Sequence, residues 1–381
     1  MSIRTFGMLA AAACLAGLVQ LSSFTPAFAQ CDIGCQPAPE PVFDTVALEA
    51  PARNATVDSA GRTWFTLPSV DKLALVDNGS VTYYPVNVAA AASGADQAAA
   101  GSQPYDLAVD GNTVWFTLLG ANQIGRLDST TGAVVRYNIP TANSQPTGIS
   151  LGGGHVWFVE RAGDKLGRLD PATGAIVELY NWVVDSRNQV DMRGAQLEDV
   201  AWWGDGSSEV VWITGPTFVN SVAAYKVSEN RFVPSPAGVG AAPMQVVVDG
   251  SGNVWVTFSG INRIGRSALN TLGLWVFSPL SAGQGGPVGL FAHDNNGRRE
   301  LWYTRPELNR VGYLLINPSG SVLSTWESAL PTADSAPWGI AVSPDNKAWV
   351  ANSNSTSAVI WNSPYFPLFL DMPFISYFPP K

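Results

Sequence analysis

Only two imidazoles are available to this chain, His155 and His293, and they set narrow limits on its acid–base and metal chemistry. His155 ends the run Leu151-Gly152-Gly153-Gly154-His155. That run joins two segments of strand-like alternation, whereas a phosphate-cradling loop must open a helix. His293 precedes Asp294-Asn295-Asn296-Gly297, a strong turn signal without the ligand spacing of a calcium loop. No Gly-x-Ser-x-Gly elbow occurs, and nothing in the sequence pairs either His with a nucleophile. His155 is therefore expected at the edge of a sheet and His293 in a strand-to-strand turn, both structural or solvated. Among the three cysteines, Cys31 and Cys35 in CDIGC can close a small disulfide loop in an oxidising compartment. Stapling a terminal tail suits that spacing better than redox catalysis.

The charge balance removes further classes. The 381 residues carry 21 Lys+Arg against 30 Asp+Glu, a net charge of −9, which offers no footprint for nucleic acid or an anionic membrane. With 46% hydrophobic and 13% charged residues, the chain is neither a disordered tail nor a coiled coil. Its 37 Gly and 27 Pro break long helices and favour a turn-rich all-β fold. Residues 1–29 read as a secretory signal peptide: Arg4, an apolar stretch from Met8 to Leu21, and Ala27-Phe28-Ala29 at the cleavage site. The mature chain, having lost Cys14, is expected to be secreted or periplasmic, monomeric and without a stable membrane span.

One motif repeats through the rest. A Trp, an apolar residue and usually a Thr recur at Trp64, Trp115, Trp157, Trp212, Trp255, Trp302 and Trp349, spaced by 51, 42, 55, 43, 47 and 47 residues. Before most copies lies a Pro with an alternating segment, as in QPYDLAVD, QPTGISL and APMQVVVD. After them come NQIGRLD, DKLGRLD or NRIGRSA, then a T-G turn. About 45 residues and four strands per unit predict a seven-bladed β-propeller of antiparallel blades, with each Trp filling the gap to a neighbouring blade. The last unit lacks a fourth strand, and Phe43–Leu48 reads as an orphan strand that closes the ring from the N-terminus. The domain plan is a Cys/Pro-rich linker at 30–41, the propeller at 42–363 and a Pro/aromatic tail at 364–381. Two insertions, Val86–Ser102 and Asn181–Glu209, are either binding loops or tolerated surface length; the second carries Arg187, Asp191, Arg193, Glu198 and Asp199.

The unit P-x-G-I, W-F-T-E, N-x-I-G-R-L-D, T-G resembles the repeat of the virginiamycin B (streptogramin) lyases, over roughly residues 42–362. The match is clearest in QPTGIS with VWFVE and KLGRLD, and in VWFTL with ANQIGRLDSTTG. The resemblance implies a seven-bladed lyase that opens a cyclic depsipeptide by elimination. In that family a His just after the repeat's Pro is the base, and Glu residues two before it and at the end of W-F-x-E hold magnesium. Carried onto this chain, the base position holds Arg53, Tyr105, Thr147, Glu198, Met244, Val288 and Trp338, none of them His. The position before Pro holds Gln103, Gln145, Ala242, Gly286 or Ala336. The position closing the Trp motif holds Leu67, Leu118, Glu160, Gly215, Phe258, Arg305 and Asn352, so Glu160 is the one candidate metal ligand.

The expected axial mouth is therefore lined by Arg53, Tyr105, Glu160, Glu198, Arg305, Trp338 and Asn352. Aromatics with opposed charges suit a small organic molecule, peptide or protein ligand; alternatively Tyr105 and Trp338 merely plug the channel. The first reading is a binding propeller. The second is a carbon–oxygen lyase whose acid–base work has moved to Glu198, Tyr105 or Arg305.

Overall fold

Short runs of Val, Ile, Thr and aromatic residues between Gly, Asn and Asp turns favour strands that pair with their sequence neighbours. The computed structural model describes residues 42–87, 101–180, 192–217, 221–238, 240–268, 275–281, 283, 285–295, 298–317 and 319–362. The signal peptide, Cys31, Cys35, the linker, the tail, most of Val86–Ser102, and Arg187 and Asp191 lie outside them. The described residues form seven four-stranded antiparallel sheets. Their first, inner strands are Ala55–Val57, Pro104–Asp110, Pro146–Gly152, Asp199–Gly204, Pro243–Val248, Leu290–Asn295 and Pro337–Val342, which define blades 1 to 7. Each inner strand touches the next, and the seventh touches the first, so the ring is closed.

Closure uses the N-terminal strand. Val42–Ala47 pairs antiparallel with Ser357–Asn362, Val42 opposite Asn362, and completes blade 7 from the opposite end of the chain. Phe43 packs against Trp361 with ring centroids 5.9 Å apart, and Asn362 donates to Asp44 at 2.7 Å.

The apolar core is divided among seven clusters, each spanning two consecutive blades. Trp64 of blade 1 packs with Leu107, Val114 and Phe116 of blade 2. Trp302 of blade 6 packs with Ile340 and Val350 of blade 7, and Trp349 of blade 7 with Ala55 and Phe65 of blade 1. Removing about 200 Å² of indole from water contributes about 5 kcal/mol before entropy is counted, which is why each junction has its own Trp.

The rest of the motif is equally architectural. The Thr two residues after Trp clasps neighbouring blades. Thr257 Oγ1 accepts from Gln245 N at 3.0 Å in its own blade and donates to Val288 O of blade 6 at 2.8 Å. Thr66, Thr117, Thr214 and Thr304 donate to the corresponding carbonyl of Tyr105, Thr147, Met244 and Trp338. Blade 3 has Val159 there, and Thr147 on its inner strand donates to Leu197 O at 3.0 Å instead. The Asn or Asp that opens the third strand turns the chain with a left-handed backbone, φ +58° at Asn122 and +53° at Asp164. The Gly of I-G-R leaves room for the aromatic opposite: a Cβ on Gly125 would lie 2.1 Å from Phe116.

Candidate functional site

All seven inner strands start at one end of the channel, and Arg53, Tyr105, Glu198 and Trp338, from the corresponding position of four blades, meet there. In blades 2, 3, 5 and 7 the register breaks between Pro104 and Leu107, Pro146 and Ile149, Pro243 and Val246, and Pro337 and Ile340. The residue before each Pro is left-handed, φ +49° at Gln103, +54° at Gln145, +45° at Ala242 and +49° at Ala336. A bulge at a strand's start re-aims its side chains. Here it sets Tyr105 and Trp338 at the rim, and the positions before Pro act as turns.

Four of the expected mouth residues come together, joined by a fifth. Tyr105 Oη donates to Glu198 Oε1 at 2.6 Å, while Arg161 Nη2 donates to Tyr105 Oη at 2.7 Å and to Glu198 Oε2. Arg53 Nη2 also donates to Tyr105 Oη and lies 3.8 Å from Glu198 Oε1. The Arg53 guanidinium sits 3.5 Å from the Trp338 ring centroid and 4.5 Å from that of Tyr105. Side-chain exposure is 22% for Arg53, 28% for Arg161 and 7% for Glu198, so the cations form the wet rim over a covered carboxylate. Burial, and then the charge of Glu198, push the Tyr105 phenol well above its ordinary range, so it stays a neutral donor. Arg161 was missed from sequence because it lies one residue beyond the motif, next to Glu160.

One residue further along the inner strands lies a second polar layer that the sequence reading also missed. Asp106 accepts from Ile149 N at 2.9 Å, Leu107 N at 2.8 Å and Asn54 Nδ2 at 2.5 Å. Asp199 accepts from Val246 N at 2.9 Å. Gly148, between them in the ring, has room for no side chain, because a Cβ would stand 2.6 Å from Asp199 Oδ1. Burial raises Asp106 to about 7 despite its three donors, and Asp199 is also raised, by burial and then by the charge of Asp106.

Three expected mouth residues are not part of this cluster. Glu160, Arg305 and Asn352 end the second strands of their blades and are fully buried. Arg305 turns outward to Glu327 of its blade's outer strand at 3.0 Å and donates twice to Gly285 O, at 3.0 and 2.8 Å. Asn352 donates to Ser357 O at 2.7 Å. Glu160 lies under Gly163, whose missing Cβ would fall 2.6 Å from Oε2. Neither Glu160 oxygen has a hydrogen-bond partner among the described residues, and the nearby Ser144 hydroxyl donates to Asn122 at 2.8 Å. Burial, and then the Glu178 carboxylate, push the Glu160 carboxyl up to about 8. Glu160 is a lone carboxyl, with Gln145 and Thr147 where its own blade would have to supply further ligands, so the residues present do not complete a magnesium site. Among the described residues no group of three or more His, Cys, Asp or Glu could hold a metal.

Both imidazoles are remote from the rim. His155 opens the second strand of blade 3 opposite Gly152, the far end of its inner strand, with Nδ1 2.7 Å from Gly153 O. His293 is not in a turn as expected. It lies within the inner strand of blade 6, paired opposite Glu300, and its Nε2 is 3.0 Å from Asn346 Oδ1 of blade 7. The strand extends further than the Asp-Asn-Asn-Gly signal suggested, because its pairing with Arg298–Arg305 runs as far as Asn295.

The virginiamycin B lyase family model matches residues 47–234, the first four blades. Over this span the chain is similar to the virginiamycin B lyases. A streptogramin B lyase structure is similar over 84% of this chain and 98% of its own, at 23% identity and a TM-score of 0.68. Virginiamycin B lyase from Staphylococcus aureus matches over 85% of this chain and 99% of its own, at 20% identity and a TM-score of 0.68; a catalytically inactive variant of that enzyme with quinupristin matches equally. Hydrazine synthase of Kuenenia stuttgartiensis follows at 16% identity and a TM-score of 0.63, over 84% of this chain and 97% of its own. At these identities the likeness is one of fold, which for propellers leaves activity open. No curated protein matches this chain. Among the described residues of this lyase-like propeller no helix is long and apolar enough to cross a membrane.

Proposed function

We propose that this lyase-like propeller is a secreted or periplasmic binding protein that takes an organic, peptide or protein ligand at its axial mouth without opening cyclic depsipeptides. One observation carries this reading: the seven positions where the resemblance would place a base hold Arg53, Tyr105, Thr147, Glu198, Met244, Val288 and Trp338, with both imidazoles elsewhere. Elimination needs a base with an accessible lone pair near neutral pH. The Tyr105 phenol is held neutral, and the Glu198 carboxylate accepts from Tyr105 and Arg161. What remains is a rim of two guanidiniums and two aromatic faces, a surface suited to recognition.

The test has two arms. Incubation with a streptogramin B depsipeptide and magnesium, followed by chromatography and fragmentation, is expected to yield no linear isomer of unchanged mass. A linear isomer that disappears in Glu160→Ala would overturn the reading in favour of the lyase. Ligand-detected NMR with a mixed fragment set is expected to give hits lost in Trp338→Ala.

A further inference from the structure

We propose that the mouth is selective for a monoanion, a carboxylate carried on an apolar or aromatic body. The inference rests on the mouth-binding reading and names its ligand class. Arg53 and Arg161 converge on a single phenol oxygen and a single carboxylate, and both reach them through Nη2. Arg53 Nε is buried without a partner, and among the described residues no hydrogen bond uses Nη1 of either guanidinium or Nε of Arg161. Two cations therefore share one covered anion, and Nη1 of both, with Nε of Arg161, is left for a ligand. Tyr105 contributes no second charge, since it donates its proton to Glu198. Asp106 of the layer beneath is already met by two backbone N–H groups and Asn54.

A carboxylate presents two oxygens in one plane, the pattern a guanidinium edge binds best. A cationic ligand would meet two like charges. A dianion would bring excess charge close to Glu198. Trp338, half-buried with Arg53 against its face, offers a flat apolar surface beside these donors. The ligand class is therefore an acid with a planar or apolar body, whether a small aromatic acid or the C-terminus of a peptide.

Calorimetric titration of the purified protein with three probes tests this: N-acetylphenylalanine, its amide, and a hexapeptide ending in phenylalanine with a free carboxylate. The acid is expected to bind saturably and the amide at least about tenfold more weakly. Arg161→Gln and Arg53→Gln, checked for native circular dichroism, are each expected to weaken the acid about tenfold and leave the amide unchanged. Glu198→Gln removes the competing anion, so it should tighten the acid several-fold without affecting the amide, a response that a purely structural Glu198 would not produce. Tighter binding of the hexapeptide than of the acid assigns a peptide terminus, and equal binding assigns a small acid. Equal binding of acid and amide, lost in Trp338→Ala, would overturn the anion selectivity while leaving mouth binding intact. Absence of saturable binding by both acids would overturn it as well, and the NMR screen would then decide the broader reading alone.

Discussion

The blade junctions and the channel mouth are built from neighbouring strands of one repeat, yet they diverge in opposite ways. Each of the seven junctions has a Trp of the repeat motif in an apolar cluster, and most add the Thr clasp between one blade and the next. At the repeat position that supplies the mouth, ten to fourteen residues before the Trp of each unit, seven units hold seven different residue types. The junction is a packing problem with the same answer at each turn of the wheel. The mouth faces a single point on the axis, where seven identical side chains would crowd or repel one another. Internal repetition therefore marks residues that build the wheel, and its loss marks residues free to recognise something.

This contrast can be broken from either side. The largest effect is expected at a junction: Trp212→Ala empties a fully buried site and should cost about 3–5 kcal/mol, read as a lower urea midpoint. Next comes the clasp. Thr257→Val preserves shape but leaves Gln245 N and Val288 O unpaired, which should cost about 1–3 kcal/mol in the same measurement. At the mouth, Glu198→Gln should cost only about 1 kcal/mol, because the guanidiniums it pairs with are partly in water.

The buried carboxyls sharpen the contrast through pH. Asp106 binds its proton more tightly folded than unfolded, with a raised value of about 7 against 3.8, and burial raises Asp199 as well. Their contribution is thus fully present below about pH 4 and is lost as pH rises through 7. Asp199→Asn should flatten the fall of stability across that window. Glu160 behaves likewise between 4.5 and about 8, and Glu160→Gln should hold its unfolding midpoint above pH 8 where the native protein declines. The smallest effect belongs to the far end of the channel. His155→Ala should change stability by less than about 0.5 kcal/mol and leave ligand binding untouched, since the ring's one bond is to Gly153 O in an exposed turn.

Much of the architecture was legible because it rests on local and repeated signals. The Trp spacing predicts the blades, the incomplete last unit predicts N-terminal closure, and Asn122 and Gly125 sit where a left-handed turn and a close aromatic contact require them. The mouth was legible in part. Arg53, Tyr105, Glu198 and Trp338 share a repeat position that geometry carries to the axis. Arg305 and Asn352 share a position too, but theirs closes the second strand, where Arg305 found Glu327 instead of the channel. Glu160 is a candidate metal ligand by its place at the end of the Trp motif, and only the fold shows that it is buried, which raises its carboxyl to about 8.

Residue order by itself determined that seven like units, each with one exposed sheet face and one Trp, must stack and close. A unit of about 45 residues cannot bury that face alone. Only the tertiary structure decided which charges meet. Arg161 joins Glu198 across 37 residues, Tyr105 joins it across 93, and Arg53 stacks on Trp338 from opposite ends of the chain. Such pairings depend on where the ring brings separate blades within a few ångströms, and the order of residues within a blade does not contain that distance.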